Sequence, residues 1–121
     1  MSYTIRIGNR RKYRRFVDDV FLQEAPADGV PTDNTNERWP SYTGWYEFAE
    51  ETGLLDMFFD NKVGLMRSHP GIFKITKDHQ AQVNQAIENY GSGYQLARLK
   101  WLKFWVDWAT ENCENPSIQN S

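Results

Sequence analysis

Residues 94–113, Tyr-Gln-Leu-Ala-Arg-Leu-Lys-Trp-Leu-Lys-Phe-Trp-Val-Asp-Trp-Ala-Thr-Glu-Asn-Cys, decide the fold. Set at about 100° per residue, they carry two apolar stripes. Tyr94, Ala97, Trp101, Phe104, Trp105 and Trp108 form one; Leu96, Leu99, Leu102, Val106, Ala109 and Cys113 form the other. Arg98, Lys103 and Asp107 take what remains of the circumference. A helix greasy over more than half its girth is central to its own domain or shared with another chain. From Tyr94 to Asn112 it measures about 28 Å, nearly the width of a small globule. Its three tryptophans alone represent roughly 10 kcal/mol of gross burial at about 25 cal/mol per Å².

Working back from this rod, Gly91-Ser92-Gly93 breaks the preceding helix, whose inner face is Val83, Ala86, Ile87 and Tyr90 and whose cap is Thr76. With no strand before it and no third glycine, the Gly-Ser-Gly is a helix stop rather than a phosphate cradle. Ile72-Phe73-Lys74-Ile75 alternates as a short strand. Upstream, Ser41 or Thr43 caps a helix that buries Tyr42, Trp45, Phe48, Ala49 and Thr52 and stops at Gly53. Leu54 to Phe59 adds another helical turn or two. Tyr3 to Ile7 alternates as a strand ended by Gly8, and two pieces this short predict a pairing of residues 3–7 with residues 72–75. Tyr13, Phe16, Val17, Val20 and Phe21 recur at helical spacing, which favours a helix over about Arg10–Gln23. The cations at its start oppose the helix dipole, so a strand is the alternative there. The expected fold is therefore mainly α, with α+β as the alternative: a small helical bundle around a central C-terminal helix, with a minor two-stranded β element. One domain spans residues 1–114, residues 25–40 form a long Pro- and Gly-containing loop, and residues 115–121 form a flexible polar tail.

The chain has 121 residues, 40% hydrophobic, 25% charged and 15% aromatic, with a net charge of -2. Neither a disordered nor a membrane protein has that composition. No stretch is long and charge-free enough to span a bilayer, and a single cysteine, Cys113, makes no internal disulfide. No basic-then-apolar leader opens the chain, so a cytoplasmic setting is expected. Charge is segregated along the sequence: residues 1–15 sum to +6, residues 16–60 to -10 and residues 61–121 to +2.

No metal centre and no cofactor are expected, because His69 and His79 lack ligand spacing with each other or with Cys113. The candidate catalytic corner is Arg67-Ser68-His69-Pro70-Gly71, which combines a guanidinium, a hydroxyl, an imidazole and a fixed turn. It suits a small enzyme or an anion-binding protein, although no Gly-x-Ser-x-Gly elbow accompanies it. The basic run Arg10, Arg11, Lys12, Arg14 and Arg15, with Tyr13 inside it, has the composition of a phosphate-contacting segment and supports a nucleic-acid-binding alternative. Pairing of these cations with the neighbouring acids is the competing explanation. The leading expectation is an accessory module that meets a protein partner or a second copy of itself. It would use an aromatic surface of Trp39, Tyr42 and Trp45 with Trp101, Trp105 and Trp108 of the last helix, because large rings exceed any catalytic constellation and are what interfaces favour.

Overall fold

A computed structural model describes residues 1–14, 17–22, 35–90 and 93–121, with the side chains of residues 12–14 and 17 excepted. The elements in order are β1 (Ile5–Arg14), β2 (Val17–Phe21), β3 (Glu37–Arg38), α1 (Tyr42–Glu51), α2 (Leu55–Phe59), β4 (Gly71–Lys74), α3 (Lys77–Tyr90), α4 (Leu96–Asn112) and β5 (Pro116–Asn120). The strands form one antiparallel sheet in the order β2-β1-β5-β4, and β3 pairs with β1 beside β2. The fold is thus α+β, and the expected mainly α bundle with a two-stranded appendage is corrected.

Two local readings account for that correction. The expected helix over about Arg10–Gln23 is not found among the described residues: β1 runs through Gly8 to Arg14, and Val17–Phe21 is β2, antiparallel to it. The register sets Arg11 opposite Asp19 and Lys12 opposite Asp18, so basic positions of β1 stand across from acidic positions of β2. As a helix, the same cations would crowd a dipole end of their own sign. Nor does Gly8 end the first strand; a Cβ there would collide with the carbonyl oxygen of Phe21, so glycine lets the two strands close. The second reading is at the C-terminal end, where residues 116–120 are a strand rather than a polar tail. Strand β5 lies between β1 and β4 and pairs with both, Ile7 opposite Ile118 and Phe73 opposite Ile118. The expected direct pairing of residues 3–7 with residues 72–75 is therefore replaced by a three-strand arrangement with β5 in the middle. Pro116 stands first in that strand, where a missing N–H is tolerated, and its carbonyl accepts from the Ile75 N–H at 2.9 Å.

The helices follow the sequence more closely. Ser41 caps α1 by accepting from the Gly44 N–H at 2.9 Å, and Gly53 leaves it at φ 78°. Trp45, Phe48 and Ala49 are its buried face, and Trp45 packs on Phe48 and edge-on to Phe58 at 4.7 and 5.2 Å. Helix α4 lies along α3 and against β1 and β5, burying Leu99, Trp101, Leu102, Trp105, Val106 and Ala109. Both of its predicted stripes thus reach the core, which includes Ile5 and Ile7 from β1 and Ile118 from β5. The expected loop 25–40 lies outside the described residues up to position 34; of the rest, Glu37–Arg38 is β3 and Asn36 is buried with its amide donating to the Ile7 carbonyl at 2.5 Å.

Candidate functional site

The packing that builds the core also sorts the predicted aromatic surface. Trp45, Trp101 and Trp105 are fully buried and present no side chain to a partner. Trp101 additionally donates its indole N–H to the Thr35 carbonyl at 2.8 Å and carries the Arg38 guanidinium over its ring. Trp108 is half-buried, edge-on to Trp105 at 5.6 Å, and Tyr42 is half-buried beside Tyr3. Of the six predicted interaction residues only Trp39 is largely open, at 61% exposure.

Two other rings join it. Tyr46, 46% exposed, points outward from α1 and leans on Phe59 at 5.4 Å. Tyr94, 77% exposed, hangs its hydroxyl on the Glu51 carboxylate at 3.1 Å, at the end of α1. That bond raises the Tyr94 pKa, because ionisation would set two anions together. Glu47 and Glu50 stand on the same outward side of α1. Arg98 reaches from α4 to the Gly44 carbonyl at 3.3 Å and lies over Trp45 and Phe48. Burial lowers its pKa, and the nearby charge of Arg38 adds to this. Between α1 and the start of α4, Gly44, Glu47, Tyr94, Gln95, Ala97 and Arg98 line a cleft of about 340 Å³. The sequence carried one sign of Tyr46: it is the ring of α1 that falls off the buried stripe. Tyr94, expected in an apolar stripe of the last helix, stands outside it.

The corner Arg67–Gly71 is organised differently from its sequence reading. Ser68 donates to the Pro70 carbonyl at 3.1 Å, not to His69. The Arg67 guanidinium sits 4.2 Å over the Phe73 ring and donates to the Gly64 carbonyl. The partners of His69 come from elsewhere. Asn120, buried in β5, donates its amide to the Ser68 carbonyl at 3.0 Å, so its oxygen faces His69 Nδ1 at 2.5 Å and accepts that N–H. The Nε2 lone pair then accepts the Tyr42 hydroxyl at 3.0 Å. Tyr3 lies tilted against Tyr42 and edge-on to His69, ring centroids 4.5 and 4.9 Å apart, its pKa raised by burial and by Tyr42. The imidazole is held by two neutral groups, which fix its tautomer and join α1, the cis His69-Pro70 turn and β5. No sequence signal pointed to Asn120, which stood in the presumed tail.

The basic run divides. Arg10 and Arg11 lie beside Asp18, Lys74, Asn115 and Ser117 around a cleft of about 600 Å³; the side chains of Lys12 and Arg14, and all of Arg15, lie outside the described residues. Asp18 holds Arg10 through Nε and Nη2 at 2.9 and 2.5 Å, which raises the Arg10 pKa. Arg6 pairs with Asp19 at 3.1 Å and with Glu37 at 3.0 Å. Part of the +6 is therefore neutralised within the sheet. Among the described residues, no group of three His, Cys, Asp or Glu side chains gathers as a metal site, and no helix is long and apolar enough to cross a membrane.

Compared with known proteins, the chain matches no family model, no curated protein and no solved structure.

Proposed function

We propose that the protein is an interaction module whose docking face is the outer side of α1. One observation carries the reading: the three large rings left exposed among the described residues, Trp39, Tyr46 and Tyr94, all flank, belong to or bond to this one helix. Tyrosine and tryptophan supply large, stiff contact area and dominate the energetics of many interfaces. Here they alternate with Glu47 and Glu50, which suits a partner surface with apolar pockets rimmed by basic side chains. This face keeps Trp39 of the expected interaction residues and replaces the buried Trp45, Trp101 and Trp105 with the exposed Tyr46 and Tyr94. A cytoplasmic setting belongs to the same reading and rests on the single free, half-buried Cys113, whose thiol burial pushes up and away from the reactive thiolate.

A photo-crosslinking residue at Tyr46, with one at exposed Glu88 on α3 as the control, tests the face in cells expressing the chain. The expected result is discrete adducts at position 46 that vanish when Trp39 and Tyr94 are changed to Ser. Sedimentation across a concentration series distinguishes a second copy from a different partner. A strict monomer with no adduct at position 46 above the control refutes the docking face.

A further inference from the structure

We propose that the cleft between β1 and β4 is a seat for the phosphate backbone of a nucleic acid. The fold brings together there residues far apart in the chain: Arg10 and Arg11 from β1, Lys74 from β4, and Asn115 and Ser117 at the start of β5. The floor is rigid. Asn9 accepts the Asn115 N–H at 2.7 Å, the Arg10 N–H donates to the Asn115 carbonyl at 2.9 Å, and the Ser117 hydroxyl donates to the same carbonyl at 3.1 Å.

Charge within the cleft is unevenly settled. Asp18 is engaged by Arg10 and Asp19 by Arg6. Arg11, opposite Asp19 in register, instead rests its guanidinium over the Phe21 ring at 5.6 Å. Among the described residues no carboxylate forms an ion pair with Arg11 or with Lys74. Two solvated cations thus face one opening beside the exposed Asn115, whose side-chain amide can donate to a phosphate oxygen.

The shape favours a polymer over a single compact anion. Strand β5 pairs with β1 only as far as Asn9; beyond it, residues 10–14 run on beside β2 alone. From Arg10 to Arg14 the strand backbone advances about 13 Å, and four of those five sequence positions are Arg or Lys. One phosphate covers a fraction of that length, whereas an extended backbone can follow the strand along it. The chain outside residues 1–15 is net acidic, eleven acids and one base over residues 16–60 against seven bases and five acids over residues 61–121, which repels a polyanion and confines contact to this ribbon.

The test is fluorescence anisotropy of a labelled oligonucleotide, single-stranded and duplex, with the full chain between about 50 and about 200 mM salt. Binding should weaken linearly on a log–log plot. Arg11→Gln and Lys74→Gln should each lower the slope by about one, and Lys100→Gln, the same charge change on α4, should leave it unaltered. Circular dichroism confirms that the variants fold. No oligonucleotide binding at low salt, binding that survives both substitutions, or uptake of inorganic phosphate without the oligonucleotide overturns the proposal.

Discussion

Helix α4 and strand β5 are consecutive in the chain, both lie in the middle of the molecule, and they reach it by opposite means. Helix α4 is buried because its side chains are apolar: Trp101, Trp105, Leu99 and Leu102 exclude water whatever the backbone does. Strand β5 offers one isoleucine, yet Ser117, Ile118 and Asn120 are all within 2% of full burial. Its place is secured by two ladders, to β1 and to β4, and by the Asn120 amide that satisfies Ser68 and His69. Apolar surface is visible in a sequence; the demand of two strand edges for a backbone between them is not.

Removing residues 116–121 tests the second means at its root and should have the largest effect. It leaves the β1 and β4 edges facing an empty slot in a domain whose whole stability is about 5–15 kcal/mol. The truncated chain should lose cooperative urea unfolding. Trp105→Ala probes the first means and should cost about 3–5 kcal/mol in the same titration. Trp105→Phe should cost less, because the indole N–H has no partner among the described residues to lose. Asn120→Ala tests whether a single polar side chain matters to β5 beyond its backbone. Stranding the Ser68 carbonyl and the His69 N–H should cost about 1–3 kcal/mol. A negligible loss would put the strand's position on the ladders alone.

The same contrast explains what the sequence revealed. Ser41, Gly53, Thr76 and the stripes of α1, α3 and α4 were legible because capping chemistry and helical periodicity are local. The β1–β2 pair was ambiguous, since Tyr13, Phe16, Val17, Val20 and Phe21 satisfy a helical spacing as well as β propensity; the sheet partners that decide between them lie far along the chain. Strand β5 was illegible. With it went Asn115, Ser117 and Asn120, and therefore the floor of the basic cleft and the anchor of His69. Trp39 was found among the interaction residues, but exposure separates it from Trp45, Trp101 and Trp105, and exposure depends on the assembled core.

The smallest effect concerns a second bond between side chain and backbone, this time at the rim. At the start of α3 the Thr76 N–H donates to His79 Nδ1 at 2.9 Å, which requires a neutral ring. Burial pushes the His79 pKa down, and the charge of Asp78 opposes this less strongly. The unfolded chain takes up this proton near pH 6.5, before the folded chain does. Stability contributed by neutral His79 is therefore fully present at neutral pH and declines as pH falls below about 6.5, until the folded ring also protonates. Urea midpoints at about pH 7 and about pH 5.5 should show this decline, and His79→Gln should shrink it, since an amide donates and accepts without titrating. If the variant keeps the full slope, the titration lies elsewhere and the rim bond, unlike the Asn120 bond in β5, contributes nothing that protonation can remove.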